Sequence, residues 1–116
     1  MSKTKYIAYY DEKLGKSFEL PEFDLQGSTV TKFIKAHPSI FYATVLSALY
    51  NGINLNLPHV PVFCIKDSDL GISMSKKKYA EKIEACLTFF EGIEEFEFCK
   101  TLAELRTKLQ DNEQHN

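Results

Sequence analysis

Three observations predict an α+β fold for this chain. Short runs alternate apolar with polar residues, longer runs repeat apolar residues at helical spacing, and the two kinds are not strictly interleaved. The predicted order is β-β-α-α-β-β-α-β-α: an N-terminal β-hairpin, a kinked buried helix pair, and a mixed or antiparallel sheet with two further helices. A length of 116 residues suits a single domain, expected over residues 1–110 with a polar tail at 111–116. Hydrophobic residues at 44% are enough for one core, and an aromatic content of 13% excludes intrinsic disorder.

Each element has a local reason. Tyr6, Ala8 and Tyr10 alternate with Ile7 and Tyr9, which reads as a first strand. Gly15-Lys16 closes a charged loop, and Ser17-Phe18-Glu19-Leu20 alternates again before Pro21. Ser28 or Thr29 can cap a helix carrying Val30, Phe33 and Ile34. Pro38 breaks that helix near Ala36 and opens a second one, which is expected to run to Tyr50 and end on Asn51-Gly52. Ile53, Leu55 and Leu57 alternate as a short strand, and Pro58 and Pro61 argue against a central strand before Val62. Val62-Phe63-Cys64-Ile65 has the continuous apolar character of a strand buried on both faces. A turn over Lys66 to Gly71 leads to Ile72-Ser73-Met74. Ser75 can cap a helix with Tyr79, Ile83, Cys86, Leu87 and Phe90 at helical spacing, closed by Gly92. Phe96 and Phe98 alternate with Glu95 and Glu97 as a strand. Thr101 to Glu104 forms a capping box for a last helix seamed by Leu102, Leu105 and Leu109.

Few residue patterns point to chemistry. Cys64, Cys86 and Cys99 are far apart, as are His37, His59 and His115, and no zinc spacing results. Buried apolar packing explains the cysteines better than a Cys64–His59 nucleophile pair. Asp67-Ser68-Asp69 offers two carboxylates in a turn, but without the remaining ligands of a calcium loop. No metal or cofactor is therefore expected. Lys76, Lys77 and Lys78 follow Ser75 at a helix start, against the helix dipole, and a bound phosphate would relieve the conflict.

Charge carries more weight. Residues 59–116 hold eleven acidic and eight basic residues, and Glu91, Glu94, Glu95 and Glu97 fall together. With Phe96 and Phe98 in the core, Glu95 and Glu97 would line one wet strand face and steer a basic partner. A net charge of −2 and the lone Arg106 argue against nucleic acid. No apolar run is long enough for a membrane span, and no targeting segment is evident, so a cytoplasmic address is expected. The expectation is a non-catalytic binding or inhibitory module that masks a basic protein surface, such as an immunity protein against a nuclease toxin or a phage-type inhibitor. Its contact residues would be Asp67, Asp69, Glu94, Glu95 and Glu97, with Tyr9 and Tyr10 as anchors. The strand edge at Tyr6 to Tyr10 could also pair two copies. The alternative is an anion-binding enzyme or regulatory domain built on Ser75, Lys76, Lys77 and Lys78.

Overall fold

A computed structural model describes residues 4–68 and 70–114. Strands β1 (Lys5–Asp11) and β2 (Lys16–Phe23) form the expected hairpin, paired from Lys5↔Glu22 to Asp11↔Lys16. Gly15 turns it at a φ of 64°, a left-handed value that glycine adopts at no steric cost. Beyond Pro21, β2 continues to Phe23, whose ring stacks between Phe33 and Phe63.

Helices α1 (Val30–Ala36) and α2 (Pro38–Asn54) meet at His37, and the Thr29 side chain accepts from the Lys32 amide as the cap. They carry the chain over to β3 (His59–Ile65), which lies parallel to β2. Strand β4 (Gly71–Ser75) returns antiparallel, giving a four-stranded mixed sheet in the order β1-β2-β3-β4. A single 3-10 turn, Lys76–Lys78, leads into α3 (Tyr79–Gly92), and α4 (Phe96–Gln114) ends the described chain. Helix α2 packs on β3, and α3 and α4 pack on α2 and on each other. The core between these layers includes Leu49, Ile53, Val60, Tyr79, Ile83, Phe90 and Leu102, and the fold is α+β as the patterning predicts.

Several expectations need correction. The helix pair is not buried as a pair: α1 has no buried residue, and its Val30 and Phe33 reach only the core margin. Asn51-Gly52 does not end α2, and Ile53–Leu57 is not a strand. Tyr79 packs onto Gly52 inside the helix, and the left-handed stop falls at Asn56 (φ 51°). There Leu57 N–H bonds to Gly52 O and Asn56 N–H to Ile53 O, the paired bonds of a Schellman end.

Pro61 does lie within a central strand. It sits opposite Ser73, next to an irregularity in the β3–β4 ladder, where its missing N–H removes no pairing bond. Finally, Phe96–Phe98 is the first turn of α4, so the predicted eighth element is absent. Phe98, Leu102, Leu105 and Leu109 form one helical seam, and that longer repeat prevails over a four-residue alternation. Thr101 is accordingly inside α4, its hydroxyl donating to Glu97 O, and is not a cap. The helix also takes in residues 111–114 of the expected tail.

Candidate functional site

The acidic segment keeps its position in the fold but changes its shape. Helix α3 ends at Ile93 with Glu94 N–H bonded to Glu91 O and Glu95 N–H bonded to Phe90 O, a second Schellman end. Glu94 therefore adopts a φ of 61° at the position where glycine is the usual residue. A non-glycine side chain there costs about 1 kcal/mol. The chain then turns directly into α4, whose first turn carries Glu97, where a carboxylate is favoured by the helix dipole.

The outcome is a knuckle. Glu91, Glu94, Glu95 and Glu97 are all exposed, and among them Ile93, Phe96 and Phe98 are 48%, 65% and 39% exposed. The two phenylalanines expected in the core are thus largely on the surface. Phe98 is held edge-on by Phe90 at 4.9 Å, and Phe90 continues through Phe89 to Tyr42. This aromatic chain fixes the base of the knuckle against the core. The spacing of Phe98 with Leu102, Leu105 and Leu109 was the available signal for the exposure of Phe96, which falls off that seam.

The other predicted contact residues lie elsewhere. Asp67 is exposed with a φ of 61° in the β3–β4 turn, and no ion pair or hydrogen bond among the described residues links it to the knuckle glutamates. Asp69 lies outside the described residues. Tyr10 is exposed, whereas Tyr9 is half-buried with its ring laid over Gly71. Both tyrosines border a recess at the hairpin tip together with Asp11, His59 and Ser75.

That recess holds a pair with no signal in the sequence, since its members are 48 positions apart. His59 Nε2 lies 2.8 Å from Asp11 Oδ2, and Asp11 Oδ1 accepts from the Leu14 amide. Burial alone would raise the Asp11 carboxyl, but the Leu14 amide, His59 and the Lys13 amide together hold it below its ordinary value of 3.8. The pair fastens the hairpin tip to β3. No hydrogen bond among the described residues links His59 to Cys64.

The thiols are all free and all pushed up: Cys64 by burial and Glu22, Cys99 by burial and Glu91, and Cys86 by burial to about 12. Each is thereby held as the less nucleophilic neutral thiol. Among the described residues, no three His, Cys, Asp or Glu side chains converge as metal ligands.

At the lysine cluster several donors are already engaged. The Lys76 amide donates to Pro58 O and its ammonium to Asn56 Oδ1, while Lys78 lies 3.5 Å from Glu81. Ser75 makes no side-chain cap bond, and Lys77 is exposed. No described helix is long and apolar enough to cross a membrane. Comparisons with protein-family models, with curated proteins and with solved structures find no match to this chain.

Proposed function

We propose that this protein is a small binding or inhibitory module that masks a basic surface on a protein partner, in the manner of an immunity protein or a phage-type inhibitor. The observation that carries this reading is the knuckle of residues 91–98, where three large apolar side chains stand exposed amid four carboxylates. Apolar anchors inside a charged rim are the anatomy of an interface, and masking a surface requires no catalytic group. The strained Glu94 adds support, because a glycine would hold the same turn at lower cost. Three free cysteines fit a reducing cytoplasm. The outer edge of β1, unpaired among the described residues, is available to a second copy.

The test is capture of partners on the tagged protein at low salt, with elution by salt. One stoichiometric basic protein is expected. Phe96→Ala should weaken its binding about 30-fold or more. Glu95→Lys with Glu97→Lys should weaken it further and flatten its salt dependence. Glu94→Gly separates site from scaffold: it should stabilise the fold by about 0.5–1 kcal/mol while weakening the complex. Undiminished affinity in all of these variants would remove the knuckle as the site.

The anion-binding alternative rests on Ser75 and Lys76 to Lys78, where the first amide and two of the three ammonium groups are engaged within the chain. Millimolar phosphate is expected to leave Tm unchanged, and a saturable rise in Tm would revive that reading.

A further inference from the structure

We infer that the free edge of β4 takes up an extended peptide from a partner protein, with alternating apolar residues and an acidic end. Among the described residues, strand β4 has only β3 beside it, and its outer edge is unpaired. A groove of about 470 Å³ runs along it, bordered by four successive β4 residues, Ile72 to Ser75. Val62 and Phe63 of β3 border it as well, so the groove reaches from the helix-covered sheet face out to the β4 edge.

The ladder itself fixes which backbone groups point into this space. Pro61 lies opposite Ser73 and has no N–H, so theirs is the non-hydrogen-bonded kind of antiparallel pair. The Lys76 amide bonded to Pro58 O fits the same alternation. The N–H and C=O groups of Ser73 and Ser75 are therefore directed outward, away from β3.

The remaining groove wall is apolar. Val30 and Ile34 of α1 border it with Phe41 and Val45 of α2, and α1 buries no residue within this chain. Lys78 and Lys82, one helical turn apart, border the groove beyond the C-terminal end of β4. Lys82 is half-buried and has no carboxylate within 4.0 Å among the described residues. An acyl chain would cover the apolar wall but leave the outward backbone groups unpaired. A β-strand pairs them, fills the wall with alternate side chains, and places an Asp or Glu against Lys82. This surface has the opposite sign to the knuckle and is independent of it.

The test is selection of a displayed library of random twelve-residue peptides on the whole protein. Enrichment of alternating apolar sequences ending in Asp or Glu is expected. The selected peptide should slow hydrogen exchange at the Ser73 and Ser75 amides. Ser73→Pro, which removes an outward N–H without removing a β3 bond, should abolish binding, with Ser73→Ala as the folded control. Lys82→Glu should weaken it about five- to tenfold. The inference is overturned by any one of three results: no enrichment, unchanged exchange at both amides, or binding that survives both Ser73→Pro and Lys82→Glu.

Discussion

Valine at position 52 is expected to lower the unfolding free energy by about 2–3 kcal/mol, a large part of a stability on the order of 5–15 kcal/mol. Gly52 is buried within α2, and a Cβ there would stand 2.6 Å from Tyr79 Oη, 2.8 Å from Tyr79 Cζ and 3.2 Å from Val60 Cγ1. The Tyr79 ring cannot yield cheaply. It is fully buried at the start of α3, and its hydroxyl donates to Leu57 O at 2.9 Å. Burial pushes its phenol to about 12, so it remains a donor throughout the ordinary pH range. Moving the ring breaks this bond and leaves the Leu57 carbonyl without it; moving α2 opens the helix layer. Alanine should cost less, because a helix interior favours it over glycine by about 1 kcal/mol.

Urea unfolding followed by circular dichroism measures both effects. A midpoint for Gly52→Val equal to that of the parent would falsify the close approach of α2 and Tyr79. A cycle gives a sharper check. Tyr79→Ala alone should cost about 3–5 kcal/mol, and combining it with Gly52→Ala should cost less than the sum, since the ring that clashes is gone.

This contact also marks where the sequence ceases to be legible. Local chemistry specifies the Gly15 turn, a cap at Ser28 or Thr29 and the start of α2 at Pro38, because each depends on a residue and its immediate neighbours. The end of α2 does not. Asn51-Gly52 and Asn56 can each supply a left-handed stop, and the choice is made by Tyr79, which lies 27 positions beyond Gly52. Similarly, the Phe96–Phe98 alternation is compatible with a strand until the full seam to Leu109 is considered. A strand there would put Phe96 and Phe98 inside and the glutamates on a flat face. The acidic half of the knuckle was thus readable from composition, whereas its apolar anchors depended on the secondary structure being right. The Asp11–His59 pair and the β4 groove arise from residues brought together by topology alone.

For Asp11 we expect a pH-dependent loss of stability that the Asp11→Asn variant does not share. The folded carboxyl titrates below its ordinary value of 3.8, so the folded state favours its charged form. Its contribution is fully present above pH 3.8 and is lost as pH falls through the folded value. The gap in unfolding free energy between parent and Asp11→Asn should therefore be constant at neutral pH and close below about 3.8. Asp11→Ala removes the acceptor for the Leu14 amide as well as the partner of His59, and should cost about 1–3 kcal/mol at neutral pH. Because the pair joins the hairpin tip to β3, the loss should be local as well as global: amides of β1 near Tyr9 and Tyr10 should exchange faster in Asp11→Ala than those of α2. A gap that stays constant down to pH 2, or faster exchange spread evenly over the sheet and helices, would show that the hairpin is held by its packing and not by this pair.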